Sequence, residues 1–102
     1  MFKIQPNPTF KTAVAIPVAG GKPASIDVEF KYLTRDQVAE FFQSLEGRKD
    51  HEALADVVVG WSGVDVPYST DALATLLNNY LPAGRALFDA FIAGLAQAKE
   101  KN

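Results

Sequence analysis

Ile26, Val28, Phe30 and Tyr32 take every second position of one stretch, with Asp27, Glu29 and Lys31 between them. Successive side chains of a strand point to opposite faces, so this spacing predicts a strand with one buried and one charged side. A weaker alternation precedes it. Phe10, Thr12, Val14, Ile16 and Val18 fall on one side, and Lys11, Ala13, Ala15 and Pro17 on the other. Ala19-Gly20-Gly21-Lys22-Pro23 separates the two runs with turn-forming residues, and the pair predicts an antiparallel hairpin. Pro17 has no amide hydrogen for a ladder, which places it at an open edge or a bulge. Upstream, Pro6, Asn7 and Pro8 predict an irregular lead-in, with Phe2 and Ile4 tacked onto the core.

After Tyr32 the period lengthens. Thr34-Arg35-Asp36-Gln37 has the form of a capping box, and Val38, Phe41, Phe42 and Leu45 follow at helical spacing. Gly47 supplies the stop. Asp50 is placed to cap a second helix, whose apolar face Leu54, Val57, Val58 and Trp61 would form. The consecutive valines 57, 58 and 59 also suit a strand, because β-branched side chains crowd a helix. Gly60-Trp61-Ser62-Gly63 breaks the regularity, and residues 64–68 read as a loop in which Pro67 disfavours helical geometry at Val66. Ser69 or Thr70 caps a third helix with Asp71 in its first turn and Leu73, Leu76, Leu77 and Tyr80 as its stripe. Pro82 suits the start of a fourth, carrying Leu87, Phe88, Phe91, Ile92 and Leu95 among many alanines. The expected fold class is α+β: an N-terminal antiparallel β-hairpin packed on about four α-helices.

The 102 residues suffice for a single domain, 1–102, with lead-in and hairpin at 1–32, a helical part at 34–99 and a frayed tail at 100–102. There is no cysteine, so disulfides and thiolate metal sites are impossible within the chain. The formal net charge of −2 comes from interspersed residues of both signs. That pattern argues against a nucleic-acid partner, which calls for a basic face. No apolar run approaches the ~20 residues that span a bilayer, and the proline-rich start is no signal peptide. These features point to a soluble cytoplasmic protein without a membrane or cofactor role.

No catalytic constellation emerges. His51-Glu52-Ala53-Leu54-Ala55 begins like a zinc-protease helix, but the second ligand position is Ala55 and the chain holds a single histidine. Gly60-Trp61-Ser62-Gly63 resembles a nucleophile elbow, but residue 64 is Val64 where glycine is required. Gly20-Gly21-Lys22-Pro23 lacks the hydroxyl residue and the upstream glycine of a phosphate loop. Asp65, near Trp61, is the one carboxylate with a candidate role, capping the loop or meeting a partner's cation. Trp61 itself reads either as a core residue or as an interface anchor, a role in which tryptophan is enriched. The fourth helix poses the same alternative: core alone, or core plus a docking groove or self-association surface.

The order of parts carries a resemblance. Val57-Val58-Val59-Gly60-Trp61-Ser62-Gly63-Val64-Asp65 is followed by Pro67-Tyr68-Ser69-Thr70, Leu73-Ala74-Thr75-Leu76-Leu77 and Tyr80-Leu81-Pro82. This layout resembles the tail assembly chaperones of long-tailed bacteriophages and prophages, most strongly over residues 55–95. The resemblance implies a non-enzymatic protein that binds the tape-measure protein, keeps it soluble and helps recruit tail-tube subunits. It also implies residence in the host bacterial cytoplasm and absence from the mature virion. A frameshifted longer form is common in that family, and the nucleotide sequence decides whether one exists here. Trp61, Phe88, Phe91, Ile92 and Leu95 are the residues expected to form or support the partner-binding surface. The alternative is another non-enzymatic phage morphogenesis or adaptor protein, such as a head–tail joining factor.

Overall fold

A computed structural model describes residues 1–96. The expected polar tail and the end of the helical part assigned to 34–99 lie outside the described residues. The hairpin forms as its alternation requires. Strand β1 (Thr9–Ile16) pairs antiparallel with β2 (Ala24–Lys31), setting Phe10 opposite Phe30, Thr12 opposite Val28 and Val14 opposite Ile26. Opposed residues share a face. Val14, Ile16, Ile26, Val28 and Phe30 are accordingly buried, while Lys11, Ala13, Asp27 and Lys31 remain in solvent on the other side. The turn between the strands places Gly20 at φ +74°, a left-handed conformation that glycine adopts without steric cost. Pro17 follows the end of β1, an outer strand of the sheet.

Helix α1 (Arg35–Gln43) begins with the expected reciprocal cap. The Gln37 amide donates to Thr34 Oγ1 at 3.2 Å and the Thr34 amide to Gln37 Oε1 at 2.9 Å. Thr34→Ala removes the hydroxyl and is expected to cost about 1 kcal/mol. Urea unfolding reads this as a lower midpoint at constant slope; an unchanged midpoint would mean that α1 contributes little to cooperative stability.

Helix α2 (Asp50–Ala55) is shorter than its apolar spacing suggests. The run Leu54, Val57, Val58, Trp61 does not continue as a helix: after Ala55 the chain turns and Val58–Ser62 becomes strand β3. Two physical reasons favour this outcome. The consecutive valines lose rotamer freedom in a helix, and β2 still has one edge of main-chain groups to satisfy. Strand β3 fills that edge in antiparallel fashion, giving the sheet order β1-β2-β3. Val58 lies opposite Phe30, Gly60 opposite Glu29 and Trp61 opposite Val28, leaving Val59 as the extra residue of a bulge. Lys49, rather than Asp50, holds the N-cap position of α2, and its amide donates to Glu52 Oε1 at 3.1 Å.

The lead-in also departs from expectation. Phe2 and Ile4 are 89% and 86% exposed and touch no core. Pro8 still offers its carbonyl to the Tyr32 amide, at 2.9 Å. Pro6 and Pro8 have no amide hydrogens to extend the ladder, so the chain leaves the sheet there.

Helix α3 (Thr70–Asn79) is capped by Ser69, whose Oγ accepts from the Ala72 amide at 3.0 Å. Helix α4 (Ala83–Ala96) starts directly after Pro82, whose carbonyl accepts from the Ala86 amide at 3.0 Å. The helices cover the apolar face of the sheet. Leu54, Leu73, Leu87 and Phe91 meet Val28 and Phe30 in one core, and α4 lies along β1. The approach is close at Gly94, where a Cβ would overlap the Phe10 ring.

Candidate partner-binding surface

Six of the seven phenylalanines form one connected series of rings that runs from the sheet to the surface. At its inner end Phe30 lies 5.3 Å from Phe91 and 5.6 Å from Phe10, centroid to centroid. Phe91 meets Phe41 edge-on at 5.7 Å. Phe41 stacks on Phe88 at 6.0 Å, and Phe88 meets Phe42 edge-on at 5.9 Å. From Phe30 to Phe42 exposure rises: Phe30 and Phe91 are fully buried, Phe88 is half-buried and Phe42 is 42% exposed, while Phe10 is half-buried at the sheet's edge.

This gradient follows from the helices that carry the rings. Adjacent residues of a helix lie about 100° apart around the axis, so Phe41 and Phe42 point to different sides of α1. Phe41 turns inward and Phe42 is left outside. On α4, Leu87 and Phe91 form the buried row. Phe88, Ile92 and Leu95 form a second row at i, i+4 and i+7, half-buried and packed on the core's margin.

Beside Phe88 a cleft of about 270 Å³ opens between the end of α1, helix α2 and the first turn of α4. Leu45, Ala53, Leu54 and Phe88 supply apolar walls, and Arg48, Asp50 and Arg85 stand around them. Gly84 lines the cleft where a Cβ would come within 2.7 Å of the Asp50 carboxylate. Arg48 fastens this corner together. Its guanidinium donates to Ser44 Oγ at 3.1 Å, to the Glu52 carbonyl at 3.0 Å and to Asp56 Oδ2 at 2.8 Å. Arg85 pairs with Asp89 at 3.2 Å in open solvent, where such a pair contributes little to stability.

The five residues expected to share the partner surface do not form one patch of touching side chains. Phe88 and Phe91 are linked through Phe41, with Phe91 beneath the surface as a support. Ile92 and Leu95 continue the Phe88 row. Trp61 belongs to a different aromatic pair on β3. Its ring meets Tyr68 edge-on at 5.1 Å, and its Nε1–H donates to the Val66 carbonyl at 2.9 Å. Asp65 lies exposed in the same loop. Phe42 and Arg48 were not foreseen as part of a surface. The adjacency of Phe41 and Phe42 on a short helix was the available signal for the first.

Tyr68 is itself unusual. Its hydroxyl is buried with no hydrogen-bond partner, and burial pushes its ionisation above the ordinary value of 10.0. The fold thus favours the neutral phenol. This contribution is intact below the ordinary value and is lost as pH climbs through the raised one. Tyr68→Phe is expected to remove that alkaline loss and to leave stability at neutral pH unchanged or higher by about 1 kcal/mol. Thermal unfolding followed across neutral and alkaline pH checks both parts.

No described helix is long and apolar enough to cross a membrane. A family model described as phage tail assembly chaperone matches residues 1–102. No curated protein and no solved structure matches the chain.

Proposed function

The chain belongs to the phage tail assembly chaperone family, and on that premise we propose that it binds the tape-measure protein, keeps it soluble and helps recruit tail-tube subunits. The observation that carries this reading is the ring series that reaches the surface at Phe42 and Phe88, beside the cleft. A long helical protein awaiting assembly exposes apolar stripes that would otherwise associate with one another. A chaperone for it needs an apolar groove able to take an amphipathic helix through anchors at i, i+3, i+4 and i+7. The row Phe88, Ile92, Leu95, flanked by Phe42 and Leu45, offers complementary spacing along α4. Phe91 holds that row from beneath, and the charged residues around the cleft keep the free surface hydrated.

The proposed action is binding without a chemical step. It takes place in the host cytoplasm, and the chain is left out of the mature virion. Trp61 serves mainly to close the core beside β3, with its exposed edge available as a secondary contact.

Co-expression with the tape-measure protein of the same genome tests the reading. The expected result is a soluble complex of the two chains. A tape-measure protein that stays insoluble at every expression ratio would overturn it.

A further inference from the structure

We propose that residues 1–5 of one copy add as a strand to the open edge of β3 in a second copy, antiparallel, with Lys3 opposite Gly60. Two unsatisfied features fit each other. Strand β3 is outermost in the sheet, paired on one side only among the described residues, and an open strand edge is a template for another strand. Phe2 and Ile4 stand almost fully exposed at positions two apart, with Lys3 between them. Strand β3 has 5 residues, and residues 1–5 are the stretch free of proline before Pro6 interrupts the amide donors.

The register follows from side-chain chemistry. With Lys3 opposite Gly60, Phe2 falls opposite Trp61 and Ile4 opposite Val59. Trp61 shares the helix-covered face with Val28 and is half-buried, and Val59 is 38% exposed. Both would gain cover. Lys3 then lies on the outer face beside Gly60. There a depression of about 160 Å³ is lined by Asp27 and Glu29 as well as Lys11. Neither carboxylate is in an ion pair among the described residues, so a second ammonium complements the site.

The occupant is a second copy rather than the chain's own lead-in. Pro8 is fixed to Tyr32 at the β1 side of the sheet. A strand added to the open edge of the chain's own β3 would lie three strand spacings from β1, about 14 Å, and the link from residue 5 to residue 8 reaches only about 10 Å when fully extended. A neighbouring copy imposes no such stretch. Reciprocal exchange would bury two phenylalanines, each worth roughly 150–250 Å², together with two isoleucines and two strand edges. The total reaches roughly 1,200 Å², the lower bound of stable interfaces. This inference does not rest on the chaperone reading, since a monomer could also solubilise a partner.

The absence of cysteine makes the test direct. Ile4→Cys and Val59→Cys chains are made separately, mixed and oxidised mildly. The expected product is a disulfide-linked dimer with one copy of each variant. Light scattering of the unmodified chain should show a dimer at sub-millimolar concentration. Phe2→Asp with Ile4→Asp, in a segment that packs on no core, should weaken that dimer at least tenfold with the circular dichroism unchanged. Lys3→Glu should weaken it too, and adding Asp27→Lys should restore it. A monomer at every concentration would overturn the proposal. So would a dimer indifferent to the changes at Phe2 and Ile4, or mixed oxidation that yields no dimer of the two variants.

Discussion

Replacing Phe91 by alanine is expected to lower the unfolding free energy by about 3–5 kcal/mol, the usual cost of truncating a large aromatic in a packed core. Phe91 is fully buried and its ring stands against Phe10, Phe30 and Phe41 at once. It therefore joins α4 to the hairpin on one side and to α1 on the other. Truncation leaves a cavity that three rings on three different elements cannot close together. Domains of this size are typically stable by only about 5–15 kcal/mol, so the variant should melt at least 12 °C lower, at roughly 4 °C or more per kcal/mol. Urea and thermal unfolding both measure this. A loss below about 1 kcal/mol would mean that α4 is not held to the sheet through this ring.

The second large effect concerns binding, and it separates surface from support. Phe42→Asp changes a ring that is 42% exposed, so the fold should lose little. Phe88→Asp changes a half-buried ring stacked on Phe41 and should cost about 1–2 kcal/mol of stability. Each is nevertheless expected to weaken capture of the tape-measure protein at least tenfold, because apolar anchors at the centre of an interface carry most of its energy. The readout is the fraction of tape-measure protein left soluble on co-expression, alongside the melting temperature of the variant alone. A variant that keeps its fold and still solubilises the partner would remove that ring from the docking surface.

These cases bear on what could be read from residues alone. The hairpin was legible because alternation is a local rule with one answer. The cap of α1 was legible because Thr34 and Gln37 satisfy each other's amides within four positions. The boundary between α2 and β3 was not. Leu54, Val57, Val58 and Trp61 fit helical spacing, while the bulge at Val59 spoils the period of two that would have marked a strand. The decision is made by the free edge of β2, far away in sequence. Hydrophobicity alone assigns Phe2 and Ile4 to the core, where the structure does not place them. The prolines at 6 and 8, which stop the chain from following the sheet edge, were the better guide.

The surface was half legible for a similar reason. The sequence marks α4 as apolar on a broad face, and the row Phe88, Ile92, Leu95 lies at its margin. Whether a phenylalanine is anchor or support depends on which ring stands over it. Phe91 is a support because Phe10 and Phe30 of the hairpin and Phe41 of α1 enclose it together. Trp61 drew attention as the single tryptophan, yet its partner is Tyr68 rather than the rings of α4. The family resemblance is carried by residues from Val57 to Pro82 and is strongest over 55–95. The proposed helix-binding surface lies where α1 and α2 meet α4, apart from the Trp61–Tyr68 pair.

Hydrogen exchange on the complex with the tape-measure protein tests that placement most directly. Comparison of free and bound chain should show new protection at Phe42 in the last turn of α1, at Leu45 in the turn that follows, and along α4 from Phe88 to Leu95. Protection confined to the loop around Trp61 and Tyr68, with α1 and α4 unchanged, would contradict the account.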